Sequence, residues 1–322
     1  MENKVESTKR GYSGYAKKYL KFCKDSNLSM VAPSSLCLHL VQEHKRGLGR
    51  GTLTQTIPSA VADAFCFGAQ SPTRSPDGNN VLLDQVKETI KRLTPKPVQK
   101  RPITRDHLMR MVEAMNPEEN GMEVRDICIL VLLFIGFLRE SEAMRLLFED
   151  VSIMVQEEDG KNLGESLVLI LRKSKTDKYS ENATVVLAAC PGHKLCPVMW
   201  AKKLTHWRYP GPTFFTGTGG GKPVGAALVD TTPNFVIKRW LKKIGVLDTA
   251  MYGSHSLRRG GCTAAMLAKV NLHTTKRHGR WKSDAVYLYM VDDMEARLNL
   301  TRAVVYGGRD LARPIVAKAL SP

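Results

Sequence analysis

The feature that most limits how this chain can fold is a short basic segment containing three prolines. Pro95, Pro97 and Pro102 stand within nine residues, between two stretches of mixed apolar and charged sequence. Proline lacks a backbone N–H donor and restricts the residue before it, so this segment cannot continue a helix. We therefore predict two domains, 1–95 and 103–322, joined by an extended linker over residues 96–102.

The first domain is predicted to be helical. Tyr15, Tyr19 and Phe22 recur at helical spacing with lysines between them, and the polar segment 71–78 has the composition of a turn. Ser34 or Ser35 is the expected cap of the second helix. The predicted helices cover the region around Tyr15–Cys23, then Pro33–His44, Thr52–Phe67 and Asn80–Leu93.

The second domain is predicted to combine helices with a little strand. Two short β-branched and aliphatic runs, Leu167–Leu171 and Ala183–Leu187, should pair around a polar hairpin tip. The fold class is therefore mainly α with a small antiparallel β-sheet (α+β). The predicted helices of this domain are Thr104–Met115, Val124–Leu138, a helix that begins at Thr232-Pro233 and ends at Gly245, Ser256–Val270, Ser283–Val291 and Asp293–Asn299.

The charge of the chain indicates a polyanionic partner. Lysine and arginine total 48 against 31 acidic residues, which gives a formal net charge of +17. Nucleic acid is the commonest partner of such a protein. The alternative is a solvated basic surface with no specific partner.

Several classes of protein are disfavoured by the sequence. The longest apolar stretch, Ile127–Leu138, is shorter than the roughly 20 residues needed to span a bilayer. The opening residues are mostly polar, which does not suggest a signal peptide. Seven scattered cysteines are typical of reduced thiols. We expect an intracellular, DNA-associated protein, nuclear in a eukaryote and in the cytoplasm or nucleoid of a bacterium or phage, with no membrane or small-molecule partner.

Two motifs of the second domain offer cations that suit a phosphate. Arg139 follows a predicted buried helix in the segment Gly136-Phe-Leu-Arg139-Glu-Ser-Glu142. Lys173 and Lys175 lie in the predicted hairpin tip. Each has an ordinary alternative, because helix-end arginines often pair with carboxylates and exposed hairpin lysines are common.

A third motif is more specific. His255 and Arg258 are three residues apart, which places both at one side of a helix start, where free N–H groups also favour an anion. Downstream stands the segment Gly279-Arg-Trp281-Lys-Ser-Asp-Ala-Val-Tyr287-Leu-Tyr289. An imidazole, a guanidinium and a tyrosine are together suited to handling one phosphodiester.

In this set and order, the motifs resemble those of the tyrosine recombinases, also called phage-integrase-like enzymes. The resemblance covers about Ile103 to Met290, and the Gly-Arg-Trp-Lys-Ser-Asp wording is similar to the branch in DIRS-like retrotransposons and Cryptons. The N-terminal helices and basic linker are similar in kind to the family's DNA-clamping domain. The resemblance implies a mobile-element integrase or site-specific recombinase that cleaves and rejoins DNA without metal, ATP or other cofactor.

The resemblance also implies a covalent mechanism. Tyr289 would attack the scissile phosphate, form a 3′-phosphotyrosyl bond and release a 5′-hydroxyl. Because the covalent intermediate conserves the energy of the phosphodiester bond, no ATP is needed. Arg139 and Arg258 would bind the non-bridging oxygens as permanently charged planar donors.

The other motif residues would serve this reaction. Lys175 would protonate the 5′-oxygen, His255 would assist proton transfer, and Trp281 would donate a hydrogen bond. Glu142 would brace the cluster. The predicted contacts to the DNA backbone are made by Lys96, Lys100, Arg101, Lys173 and Lys178.

Some alternatives remain at the level of single residues. Trp281 stands where many family members carry histidine, and an indole cannot shuttle protons, so His278 is a nearby substitute. The compact interval from Trp281 makes Tyr287 an alternative nucleophile to Tyr289. The family pattern favours Tyr289, and Tyr287 is then expected to pack its ring against the domain. Cys190, His193 and Cys196 resemble half of a zinc site, without a matching second half.

The resemblance further implies a homotetramer on two double-stranded DNA sites, with the C-terminal tail docked in cis or in trans. Two other functions stay open. One is a type IB topoisomerase, which shares the chemistry but does not exchange strands. The other is a domesticated DNA-binding protein without turnover.

Overall fold

The chain divides into two compact units, Met1–Gln99 and Lys100–Pro322, and the division falls within the predicted linker. The last linker residues already belong to the second unit, because the backbone N–H of Arg101 donates to the carbonyl of Met251 at 2.8 Å. The computed structural model describes residues 6–66, 70–74, 80–96, 98–116, 118, 120–172, 182–219, 224–290 and 298.

The first unit is helical, as the sequence predicts. Its core is formed by the apolar faces of the helices, with Tyr19, Leu36 and Leu53 fully buried. The predicted cap of α2 is wrong: the N-cap is Ala32, and Pro33 occupies the first turn, where its missing N–H is not needed. The helices are α1 Glu6–Asp25, α2 Pro33–Lys45, α3 Ile57–Ala64, which continues from a π-helical turn at Thr52–Thr56, and α4 Val81–Leu93.

The second unit is built around one buried helix. Every residue of α6 from Val124 to Phe134 is buried, and α5, α7, α8, α9 and α10 pack around it. The helices are α5 Arg105–Glu113, α6 Gly121–Ile135, α7 Glu140–Met144, α8 Pro197–Trp207, α9 Thr232–Lys243, α10 Ser254–Leu267 and α11 Leu272–His278. Single 3-10 turns lie at Phe148–Asp150, Thr249–Met251 and Asp284–Leu288.

A three-stranded antiparallel sheet completes this unit, with β2 in the centre. The strands are β1 Val151–Glu158, β2 Lys161–Leu171 and β3 Ala183–Ala188. The predicted pairing is confirmed, with Leu169 opposite Val185. β1 was not predicted, although Val151, Ile153 and Val155 alternate along it; most of its side chains are exposed. Its link to β2 is the two-residue turn Asp159-Gly160, where both φ angles are positive.

Helix ends differ from the predictions where local backbone geometry intervenes. The helix predicted over Val124–Leu138 ends at Ile135, because Phe137 adopts a left-handed φ of 46°. The predicted Ser283–Val291 helix is a shorter 3-10 turn. α11 escaped prediction because its sequence is almost entirely polar. The predicted helix Asp293–Asn299 and the tail lie, apart from Leu298, outside the described residues. No described helix combines the length and the apolar character that crossing a membrane requires.

Candidate active site

The first arginine is held at the turn between α6 and α7. Arg139 is the N-cap residue of α7, and its backbone N–H donates to Oε2 of Glu142 at 2.8 Å. Its guanidinium pairs with Oε1 of the same carboxylate. The Glu142 side chain is only 1% exposed. One carboxylate therefore fixes both the backbone and the side chain of Arg139.

The second arginine projects from the first turns of α10 into the interior. Arg258 is 1% exposed, and its terminal nitrogens donate to the carbonyls of Phe137 and of Gly279, the latter at 2.6 Å. A Cβ at Gly261 would collide with the Phe134 carbonyl, so glycine there allows α10 to approach the end of α6. This close packing brings the two arginine motifs together.

Two aromatic rings cover the guanidinium of Arg258. Its central carbon lies 4.3 Å from the Trp281 ring centroid and 5.5 Å from that of Tyr289. The two rings are 5.2 Å apart and inclined by 49°. The side chain of Tyr287, in contrast, is exposed, with 56% of its surface accessible. The expectation that Tyr287 packs against the domain is therefore wrong, whereas Tyr289 contacts the cluster.

The cluster has an excess of positive charge. Burial acts to raise the pKa of Glu142, but Arg280 and Arg139 hold it below its ordinary value. Burial, with the charges of Arg139 and Arg280, lowers the pKa of Arg258 to about 10. Its Nε has no hydrogen-bond partner among the described residues. Three guanidiniums against one carboxylate form an environment that favours an added anion.

The two histidines of the region differ in their surroundings. His255 is exposed in the first turn of α10, near Glu140. Burial raises the pKa of Glu140, and His255 opposes that rise. His278 is half-buried, and its Nε2 lies 2.7 Å from the carbonyl of Ile135. Because Nε2 is engaged in a hydrogen bond with this carbonyl, His278 is poorly suited to act as the proton-transfer group.

The remaining predicted residues lie elsewhere or outside the described chain. Lys173, Lys175 and Lys178 fall outside the described residues. Lys96 is exposed in the first unit, and Arg101 is exposed at the start of the second. Lys100 is also exposed, and its Nζ donates to the carbonyl of Ala250 at 2.6 Å.

Arg280 was not among the site residues predicted from the sequence. Its guanidinium donates to Oε2 of Glu142 at 2.9 Å, which makes it a third arginine of the cluster. The only sequence feature that could have indicated its role is its place between Gly279 and Trp281, inside the third motif. In a chain with many arginines, only the fold distinguishes it from a surface residue.

The suspected half zinc site is held by ordinary contacts. The backbone N–H of Cys190 donates to the sulfur of Cys196 at 3.2 Å, and Nδ1 of His193 accepts from the N–H of Leu195. Across the part of the chain that the structure describes, no group of three or more His, Cys, Asp or Glu side chains is placed to hold a metal ion.

No protein-family model matches the chain. It is similar to a curated protein, the integrase/recombinase xerD homolog of Selenomonas ruminantium, with 26% identity over 187 residues. That match covers 58% of this chain and 52% of the other, so the chain spans about half the length of the curated relative.

Solved structures share the fold at low sequence identity. The Tn1549 transposon integrase, in complex with transposon right end DNA, has a TM-score of 0.58 and 15% identity over 94% of this chain and 95% of that one. A lambda integrase dimer bound to a COC′ core site has a TM-score of 0.56 and 14% identity. The match covers 91% of this chain and 93% of that one. The XerH recombinase, bound to a palindromic difH substrate, has a TM-score of 0.56 and 15% identity. The match covers 86% of this chain and 73% of that one.

The mainly helical fold with its small antiparallel sheet is thus the fold of tyrosine recombinases. The chain therefore shares this fold, and part of its sequence is similar to an integrase/recombinase. The DIRS-like and Crypton branch is not confirmed by these comparisons.

Proposed function

We propose that this chain is a tyrosine-type site-specific DNA recombinase of a mobile element, which cleaves and rejoins strands through a 3′-phosphotyrosyl intermediate. The observation that carries the proposal is the cluster in which Tyr289 and Trp281 lie on Arg258, beside Arg139. These residues come from three separated stretches of the sequence. A tyrosine beside several guanidiniums is suited to attack on a phosphodiester, because the cations offset the charge that develops.

The proposed reaction conserves the energy of the phosphodiester. The phenolic oxygen of Tyr289 attacks phosphorus, the bond to the 5′-oxygen breaks, and Lys175 supplies the proton that the leaving oxygen takes up. Arg139 and Arg258 bind the non-bridging oxygens, His255 assists the transfer of the proton that the phenol gives up, and a 5′-hydroxyl later reverses the step. Trp281 donates a hydrogen bond to the phosphate, and Glu142 holds the arginines in place. All of these roles belong to side chains of this chain.

The described arrangement requires one movement before cleavage. The ring of Tyr289 lies over the guanidinium of Arg258, and Arg258 is almost fully buried. A phosphodiester can contact both groups only after the ring moves aside. We therefore expect DNA binding to displace the segment that carries Tyr289.

Double-stranded DNA is the proposed partner, and the net charge of +17 supports it. Lys96, Lys100, Arg101, Lys173 and Lys178 are the proposed backbone contacts, with the first unit as a clamping domain. The similar integrase and recombinase structures are complexes with DNA, one of them a dimer. A homotetramer on two sites and the DIRS-like/Crypton branch are parts of the same proposal.

The test is covalent trapping. A site is enriched by binding from a random-sequence duplex pool, mapped by footprinting, and nicked so that the 5′-hydroxyl fragment is lost. We expect a detergent-resistant protein–DNA adduct, which Tyr289→Phe eliminates without weakening DNA binding. Tyr287→Phe is the matched control and should retain the adduct.

The alternatives give different results. Relaxation of supercoiled plasmid without strand exchange between two sites would indicate a topoisomerase. DNA binding without an adduct under any cleavage condition would indicate a binding protein without turnover. Either result would contradict the proposed recombinase.

A further inference from the structure

The turn after α11 has an unusual arrangement of glycine and arginine. Helices commonly end with a glycine in the left-handed conformation. Here Gly279 has a φ of −81°, and the left-handed residue is Arg280, with a φ of 57°. Glycine is required at 279, because a Cβ there would collide with the indole of Trp281. The left-handed conformation is therefore adopted by Arg280, a non-glycine residue for which it is sterically unfavourable.

The side chain of Arg280 explains how this conformation is held. One terminal nitrogen donates to the carbonyls of His278 at 2.8 Å and Gly136 at 3.3 Å. The other donates to the carbonyl of Phe137 at 3.1 Å and to Oε2 of Glu142 at 2.9 Å. The side chain is only 12% exposed. The planar guanidinium thus joins the turn after α11 to the turn after α6.

Both turns border the candidate active site. Phe137 is also left-handed, and its carbonyl accepts from Arg258 as well as from Arg280. Glu142 receives Arg280 on Oε2 and the Arg139 guanidinium on Oε1. Non-glycine residues in left-handed conformations tend to persist where the surroundings over-determine them, often at functional sites.

We propose that Arg280 is a positioning residue for DNA cleavage, which acts through Glu142 to fix the guanidinium of Arg139 relative to the turn after α11 and to Arg258. The inference rests on the proposed recombinase function. Arg280 contacts no reacting group in this assignment. Its contribution is the geometry of Arg139, and small misplacements of such a group have large effects on rate.

The first test compares single-turnover cleavage of the nicked site at saturating protein. Arg280→Gln should slow cleavage by about 10- to 100-fold while DNA affinity stays within a few-fold. Arg280→Lys keeps the charge without the planar fork and should recover part of the rate. Arg277→Gln, an equal loss of charge at an exposed position of α11, should cleave normally.

Arg280→Gly separates the backbone from the side chain. It relieves the left-handed conformation but removes the guanidinium, so it should be as slow as Arg280→Gln. Cleavage at the wild-type rate by Arg280→Gly would show that only the turn conformation matters, and would overturn the inference.

A second test asks whether Arg280 acts through Glu142. In a Glu142→Gln background, Arg280→Gln should produce little further loss, since the link is already broken. Equal losses in both backgrounds would contradict the proposal. If Arg280→Gln is unfolded at the assay temperature, the cycle is measured with Arg280→Lys.

The pH profile provides a second readout, taken over the pH range in which tryptophan fluorescence shows that the variant remains folded. Glu142 is faced by Arg139, Arg258 and Arg280, and removing Arg280 takes away a cation that lowers its pKa. The fall in cleavage rate on the acid side of the profile should therefore occur at a higher pH in Arg280→Gln than in the wild type. A fall at the same pH would contradict the proposal. If the wild-type chain forms no adduct, the recombinase proposal fails, whereas normal cleavage by the Arg280 variants overturns this inference alone.

Discussion

Replacing Glu142 with glutamine should destabilise the second unit strongly. The carboxylate is 1% exposed and pairs with Arg139 and Arg280, whose side chains are 16% and 12% exposed. Removing one partner of a buried ion pair typically costs about 3–5 kcal/mol, because the other charge is left uncompensated. The two arginines keep some hydration and the amide keeps part of the hydrogen bonding. We therefore expect a loss of about 3 kcal/mol.

The tryptophans make this loss directly measurable. All four lie in the second unit, so denaturant unfolding followed by tryptophan fluorescence reports on that unit: Trp200, Trp207, Trp240 and Trp281. Glu157→Gln, an exposed carboxylate of β1, is the control and should change stability by no more than about 0.5 kcal/mol.

The pH dependence follows from the direction of the pKa shift. The folded-state pKa of Glu142 lies below its ordinary value, which is about 4.3 in an unfolded chain. The stabilisation is therefore fully present above that unfolded pKa and disappears as pH falls through the folded pKa. The gap between wild type and Glu142→Gln should stay constant from neutral pH to about pH 5. A loss similar to that of Glu157→Gln would refute this account of the cluster.

Three further predictions concern the site and the DNA. Gly261→Ala should destabilise the second unit by about 1–3 kcal/mol in the same fluorescence assay, because its Cβ meets the Phe134 carbonyl; an unchanged midpoint would show that α10 can shift freely. Arg258→Ala should abolish strand cleavage in the trapping assay with most DNA affinity retained, and near-normal cleavage would remove Arg258 from the mechanism. Lys175→Ala should slow cleavage, and a substrate with a better 5′-leaving group should rescue it; without rescue, the general acid would be another group such as Lys173 or Lys178.

Residue patterns predicted the parts of the fold that depend on apolar periodicity. The helices of the first unit, the buried α6 and the β2–β3 pair all follow from such patterns. α11 and β1 were not predicted, because α11 has a single apolar residue, Leu272, and β1 is largely exposed. Their positions are set by neighbouring elements, which a local pattern does not contain.

The candidate site was predictable as a set of motifs but not as a geometry. Arg139, Arg258, Trp281 and Tyr289 lie close together in the structure, and their catalytic roles stay predictions. The role of Arg280 depends on a left-handed backbone and on carbonyls more than a hundred residues away in sequence. The burial of Arg258 under two rings likewise arises from tertiary packing.

The most direct measurement is the identity of the residue that becomes joined to DNA. Tyr287 and Tyr289 share one tryptic peptide, Ser283–Arg297, so the trapped adduct is digested with nuclease and trypsin and the nucleotide is located by fragmentation. Tyr289 contacts Arg258 and Trp281, whereas Tyr287 is exposed. We predict that the nucleotide is attached to Tyr289. A nucleotide on Tyr287, or on any residue outside this peptide, would contradict it.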